Sequence, residues 1–299
     1  MSDHDRKNPV DDVTGTETTG HSWDGIEELN NPLPRWWLWT FYICIIWGIG
    51  YTIAYPAWPM ISGATSGVLG YSTRGEVADD IAAFRAGNAE RDAQLAVSDL
   101  TTLSQNEDLY RYAVSSGAAV FRTNCSQCHG SGAAGAKGYP NLLDDDWIWG
   151  GDHAAIAYTV RHGVRNETDG DARYSQMPAF GDMLAPEEIL YVVEQVRALA
   201  GEEHDAALAQ QGAALFADNC AACHGEAGKG DRDLGAPNLT DAIWLYGGDR
   251  EALTQTITYS RFGVMPPWGP PRLTEAQVQA VATYVHQLGG GEADPAPAN

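Results

Sequence analysis

Basic residues are scarce in this sequence. Lysine and arginine number 18 of 299, against 40 aspartates and glutamates, leaving a formal charge of −22. Nucleic-acid binding needs clustered lysine and arginine along phosphates, so this spread excludes it. An acidic surface suits a basic protein partner, whose approach it speeds in a salt-dependent way. Cysteine is as sparse. Cys44 stands alone and the other four form two close pairs, Cys125 with Cys128 and Cys220 with Cys223, which is no disulfide framework. Strand-like alternation is rare, so the chain reads as all-α.

Charge is missing altogether from Trp36 to Thr73, where there is no Asp, Glu, Lys, Arg or His. Within that run, Trp36 to Tyr55 is nearly all apolar, and about 20 residues at roughly 1.5 Å each match a hydrocarbon core of roughly 30 Å. Tryptophans at one end (Trp36, Trp37, Trp39) and Tyr51, Tyr55 and Trp58 at the other form interfacial belts, and Pro34 and Pro56 bracket the helix. We therefore expect one transmembrane helix over residues 34–56. The run is too long and starts too far into the chain for a cleaved signal peptide. Cys44 inside it is a lone thiol with no chemistry. Arg35 and Arg74 flank it evenly, so charge does not orient it. Residues 1–33 read as an acidic, mobile tail. Residues 57–107 read as a linker, in which Val77, Ile81 and Phe84 mark a weakly amphipathic helix over 75–97 that braces the following domains or docks on a partner, bracing being the simpler role.

Beyond residue 108 the same unit occurs twice. Gly117, Phe121, Asn124, Cys125, Cys128, His129 and Gly130 recur 95 positions later as Gly212, Phe216, Asn219, Cys220, Cys223, His224 and Gly225. Pro140-Asn141-Leu142, Trp147 and Gly150-Gly151-Asp152 recur 97 later, and Met177-Pro178 recurs 88 later as Met265-Pro266. The spacing drifts chiefly at Arg165 to Arg173, which the second copy lacks. Each copy ends in a helical pattern, Leu184, Ile189, Val192, Val196 and Leu199 in one and Leu273, Val278, Val281, Val285 and Leu288 in the other. Two small helical domains, 108–200 and 206–290, account for this, with 291–299 as a disordered tail.

Three chemistries use a Cys-x-x-Cys pair. A structural zinc site needs a second pair some 15–20 residues away, and a thioredoxin-like motif needs a βαβ setting; neither is present. Cys-x-x-Cys-His is the attachment signature of c-type haem. On one helical turn the two thiols reach two vinyl groups of one porphyrin, and the adjacent imidazole faces the iron. Chance yields one such match roughly two times in a thousand, and a second in register far more rarely. The cofactor-binding residues are thus Cys125, Cys128 and His129 for one haem and Cys220, Cys223 and His224 for the other.

A sixth ligand comes from farther along the chain. Met177 and Met265 each precede a proline at equivalent places in the repeat, which makes them the axial candidates beside His129 and His224. Met183 has no counterpart and reads as core, and Met60 falls in the linker. Either Met can serve either haem: ligation within each copy is the simpler arrangement, while adjoining domains can exchange loops. His153 is replaced by Arg250 in the second copy, His162 reads as a surface or supporting group, and His4, His21, His204 and His286 read as solvent-facing. Pro140 and Pro237 are placed to accept the other ring N–H of each haem histidine. Trp147, Trp149, Trp244 and Tyr246 line the haem edge, bond its propionates, or are plain core. Thioether and imidazole together favour ferrous iron and leave no open position, so the chain moves electrons and holds no catalytic centre.

The two Cys-x-x-Cys-His units with their Met-Pro loops resemble class I cytochromes c. The order of Ser-Trp-Asp-Gly-Ile-Glu-Glu-Leu-Asn-Asn-Pro-Leu-Pro-Arg-Trp-Trp at 22–37, one membrane helix and two haem domains is similar to subunit III of cbb(3)-type cytochrome c oxidases, over about residues 22–290. The resemblance implies a subunit with two covalent c-type haems that receives electrons from the cytochrome bc complex or a cytochrome c. It passes them to a monohaem subunit and a haem–copper subunit that reduces oxygen and pumps protons. It also implies a bacterial inner membrane, periplasmic haem domains and a cytoplasmic N-terminus. An anchored dihaem cytochrome serving another reductase or dehydrogenase, or a dihaem peroxidase, are the rival functions; the matched Met-Pro pair disfavours the peroxidase, which must open one iron.

Overall fold

The computed structural model describes residues 8–295, in two units, 1–86 and 87–299. The first begins with an antiparallel hairpin, β1 (Thr18–Trp23) and β2 (Ile26–Leu29). The expectation of a mobile tail over 1–33 is corrected here for the described part; residues 1–7 lie outside it. Asp24 and Gly25, at φ 51° and 83°, form the two-residue turn whose left-handed residues match strand twist. Helix α1 (Arg35–Ala54) follows Pro34 and ends at extended Tyr55, and none of its residues is buried. With a mean hydropathy of 1.4 it is long and apolar enough to cross a membrane. A short hairpin, β3 (Pro59–Met60) with β4 (Gly63–Ala64), leads on to α2 (Thr73–Ala96). Only the last turns of α2, within the second unit, are held in place. Leu95 is fully buried, and the Tyr112 hydroxyl donates to Asp92 Oδ1 at 2.5 Å, whereas Val77, Ile81 and Phe84 stay exposed.

The second unit holds α3 (Glu107–Val120), α4 (Ser126–His129), α5 (His153–His162), α6 (Pro186–Leu199), α7 (Ala206–Asn219), α8 (Ala221–His224), α9 (Arg250–Tyr259) and α10 (Glu275–His286). The repeated Gly-Gly-Asp is an N-cap. Asp152 accepts from Ala155 N–H at 3.0 Å to start α5, and Asp249 from Ala252 N–H at 2.8 Å to start α9.

Two hydrophobic cores form, and neither follows the sequence order of the repeats. The first buries Ala113, Val120 and Phe121 with Ile156 and Val160 and with Val278, Val281 and Val285, so it joins α3 and α5 to α10. The second buries Ile189, Val192, Val193 and Val196 with Phe216, Leu253 and Ile257, joining α6 to α7 and α9. The segments 108–200 and 206–290 are therefore units of sequence, each of which lends its C-terminal helix to the other's core. Equivalently, the second core is continuous in the chain and interrupts the first between α5 and α10. The repeated glycines mark the crossings. A Cβ on Gly117 would lie 2.1 Å from the Ala280 carbonyl oxygen in α10, and one on Gly212 would lie 2.0 Å from that of Tyr191 in α6. Only glycine permits such backbone approach.

Candidate functional site

In the first core a π-helical turn, Phe121–Cys125, feeds α4, while in the second α7 runs directly to Asn219 and α8. Asn124 and Asn219, repeated without obvious reason in the sequence, each donate a side-chain amide to a carbonyl of the preceding turn, Val120 at 3.0 Å and Leu215 at 2.9 Å. After each histidine the chain turns left-handed at Gly130 and Gly225, φ 79° and 74°.

The histidine geometry is the same in both. His129 Nδ1 lies 3.0 Å from the Pro140 carbonyl and His224 Nδ1 lies 3.0 Å from that of Pro237. A carbonyl only accepts, so Nδ1 carries the proton and Nε2 keeps a free lone pair for a metal. Burial presses both imidazoles below the ordinary histidine value, the proline carbonyls opposing it, which keeps them neutral. Burial also pushes the Cys125 and Cys220 thiols up to about 11, the reverse of the thiolate that zinc binding or disulfide exchange needs. Among the described residues, groups of His, Cys, Asp and Glu close enough to hold an ion include no cysteine.

The two methionines cross over. Met265 exchanges backbone hydrogen bonds with Val164, at the end of α5, at 2.9 and 3.0 Å. Its side chain packs on the first core, as do those of Cys125, Leu142, Trp147 and Trp268. Met177 packs on the second core, as do Cys220, Leu239 and Trp244, and its carbonyl accepts from the Ser260 hydroxyl. The structure thus gathers Cys125, Cys128, His129 and Met265 at one core, and Cys220, Cys223, His224 and Met177 at the other. Met183, expected in the core, is 57% exposed, because the 3₁₀ turn Phe180–Asp182 buries Phe180 instead.

Other expectations change. Trp147 and Trp244 give their indole N–H to protein, to the Gly290 carbonyl at 2.6 Å and to Glu202 Oε1 at 3.1 Å, so neither is left for a propionate. His286, expected to face solvent, stacks on His153 at 3.6 Å and places Nε2 2.7 Å from the Glu292 carbonyl. The tail expected to be disordered over 291–299 is a strap as far as it is described; residues 296–299 lie outside. Glu292 N–H donates to Gly151, Glu292 accepts from Gly151 N–H, and Asp294 accepts from His153. It stands where the α6–α7 connector stands in the other core, where Arg250, the counterpart of His153, binds Glu194 Oε1 at 2.6 Å. His162 bonds Asp169 at 3.0 Å and joins neither cysteine motif.

At the rim, Asp146 shares a cavity with Asp241, Arg232 and Pro237. Burial, then Asp241 and Asp144, push its carboxyl up to about 6. The native state therefore holds that proton more tightly than the unfolded chain, and the contribution is lost as pH rises from about 4 through 6. Asp146→Asn is expected to stabilise the fold at pH 7.5 by about 1 kcal/mol, after allowing for solvent screening, and to be neutral at pH 3.5. Urea unfolding at both pH values checks this.

Two thiols on a turn, a fixed imidazole tautomer and a methionine on the same core fit covalent haem, and the buried Nε of Arg173, which meets no acceptor, fits a carboxylate-bearing group. Fold and site together define an anchored dihaem c-type cytochrome. A family model described as "Cytochrome C oxidase, cbb3-type, subunit III" matches residues 113–194 and 207–285, and one described as "N-terminal domain of cytochrome oxidase-cbb3, FixP" matches residues 15–62. The Cbb3-type cytochrome c oxidase subunit CcoP of Cereibacter sphaeroides is 64% identical over 277 residues, 92% of this chain and 95% of its own. Subunit FixP of Sinorhizobium medicae is 53% identical over 288 residues, 96% and 99% of the two chains. The chain belongs to the cbb3-type cytochrome c oxidase subunit III family. Membership makes it a membrane-anchored electron-transfer subunit with covalent c-type haem, working beside other oxidase subunits.

Proposed function

We propose that this chain is the electron-entry subunit of its oxidase, with His129 and Met265 as axial ligands of the haem on Cys125 and Cys128, and His224 and Met177 as those of the haem on Cys220 and Cys223. The observation that carries the pairing is the backbone exchange between Met265 and Val164, which fixes the thioether to the core of Cys125. Such a group, when bound, accepts and gives one electron without opening a coordination position. The chain's own part is to keep each imidazole neutral by burial and fix its tautomer through a proline carbonyl, to seat each methionine, and to exclude water with Phe121, Phe216 and the packed helices.

Electrons come from the cytochrome bc complex or from a cytochrome c, and go on to a monohaem subunit and the haem–copper subunit. The charge of −22 supports a cationic donor, whose docking rate then falls with salt. Haem domains on the periplasmic side and a cytoplasmic N-terminus follow from where c-type haem is attached. Deleting the chain is expected to abolish microaerobic oxygen uptake, and the detergent-solubilised protein to copurify with a haem–copper oxidase. Intact uptake and no copurification would assign it to another reductase.

A further inference from the structure

The first copy is nine residues longer than the second between its Gly-Gly-Asp and Met-Pro motifs, the offset falling from 97 to 88. The excess carries Arg165, and Arg173 stands at its far end. Arg165 reaches both methionine segments: its Nε donates to the Ser175 carbonyl, two residues before Met177, and its Nη1 to the Gly263 carbonyl at 3.3 Å, two residues before Met265. Arg173 is tied to the same place by its backbone, whose N–H donates to Gly163 at 3.2 Å and whose carbonyl accepts from Arg165 at 2.8 Å. Its guanidinium lies over the rings of Tyr158 at 4.9 Å and Trp149 at 5.5 Å.

Trp149 carries this cation to the boundary between the cores. A Cβ on Gly235 would lie 2.2 Å from its indole, and Gly235 is two residues before Pro237, which holds His224. The equivalent contact is made in reverse by Tyr246, which sits against Gly138. Arg261, 88 positions after Arg173, lies over Tyr246 at 4.8 Å but spends its donors on Thr256, Gln255 and the Ala252 carbonyl. Arg173 differs. Its Nε is buried without an acceptor, and the nearby Asp152 carboxylate is engaged capping α5. Among the described residues neither Arg165 nor Arg173 has a carboxylate partner, in a chain with 40 acids for 18 bases. A half-buried guanidinium without an anion is costly, so an anion from outside the polypeptide completes the arrangement. Resting on the haem sites inferred above, the group at hand with carboxylates to offer is the porphyrin.

We propose that Arg165 and Arg173 form a carboxylate-binding site for a haem propionate at the seam between the two cores, Arg165 being supplied by the nine-residue excess of the first copy. The planar guanidinium suits a carboxylate in two-point contact, and the aromatic rings fix its plane. A fixed positive charge beside a propionate holds electron density on the iron less costly, which favours the ferrous state of that haem.

The test is a redox titration of the full-length holoprotein carrying Arg173→Gln or Arg173→Lys. Glutamine is expected to raise the ferric-to-ferrous ratio of one haem about tenfold at fixed ambient potential, a fall of about 59 mV, leaving the other nearly unmoved and both sulfur-to-iron charge-transfer bands intact. Lysine is expected to restore at least half of the fall. Unchanged potentials with glutamine, or a lysine variant as low as glutamine, would overturn the proposal and leave Arg173 as packing for Tyr158 and Trp149. If the glutamine variant does not accumulate, resonance Raman on the lysine variant decides: the propionate bending band shifts under the proposal and stays in place without it. Loss of either charge-transfer band in the unsubstituted protein would instead sink the ligand reading on which this stands.

Discussion

Met265→Leu is expected to strip the thioether ligand from the haem at Cys125 and Cys128, although those residues lie in the other copy of the repeat. The clean form of the experiment uses a chain with one haem. With Cys220→Ala and Cys223→Ala, only the first attachment site remains. In that background Met265→Leu should abolish the sulfur-to-iron charge-transfer band and lower the midpoint potential by roughly 100 mV or more, within the roughly 0.8 V over which axial ligands move haem potentials. Met177→Leu should leave band and potential in place. The physical ground is the position of Met265, tied to Val164 by two backbone hydrogen bonds and packed on the same core as Cys125. If Met177→Leu were the substitution that removed the band, ligation would run within each copy, and the crossed assignment would be wrong.

Gly117→Ala is expected to be among the most damaging single-methyl changes in the molecule. The new carbon would sit 2.1 Å from the Ala280 carbonyl oxygen and 2.8 Å from Tyr284 Cβ. These are backbone and near-backbone atoms, which move only if α3 and α10 separate along their length. Overpacking of a core costs typically 1–3 kcal/mol, and a helix crossing this close stands at or above the top of that range. The effect is directional. Separation of α10 loosens the first core on which Met265 packs, so the charge-transfer band of the first haem should melt at a lower temperature while that of the second holds. Gly212→Ala, which meets Tyr191 at 2.0 Å, should do the reverse through α6 and Met177. Equal melting of both bands in either variant would count against two separately closed cores.

Much of this was legible from residues alone, because it is local. The membrane-length run from Trp36, the two Cys-x-x-Cys-His turns and the proline carbonyls beside His129 and His224 depend on neighbours in sequence. The exchange of C-terminal helices is different. Val278, Val281 and Val285 present the same apolar stripe as Ile189, Val192 and Val196, and either stripe fits either partner, so the pattern shows that a helix packs and not which one it meets. Gly117 and Gly212 recur visibly, yet their reason lies in a contact across 163 positions in the first case, Gly117 to Ala280. The hairpin at Thr18–Leu29 was readable from Asp24-Gly25 between short β-prone runs, and was hidden by the acidic composition around it. The strap after α10 looks unstructured because it is rich in glycine and proline. What orders it is a pair of carboxylates, Glu292 and Asp294, whose partners Gly151 and His153 lie some 140 residues earlier.

The interruption of the first core by the second also sets an order of events during synthesis. A chain emerging from its N-terminus makes α3, Cys125, Cys128 and His129 first, yet lacks α10 and Met265 until it is nearly finished. The second core spans one continuous stretch, Met177 to Ser260, and has all of its helices and its methionine as soon as α9 is out. Cys125 and Cys128 therefore emerge before Cys220 and Cys223, but closure runs the other way: the core that is begun first is completed last, and on the ligation proposed above a chain truncated after residue 262 would keep the methionine of one site and lack that of the other.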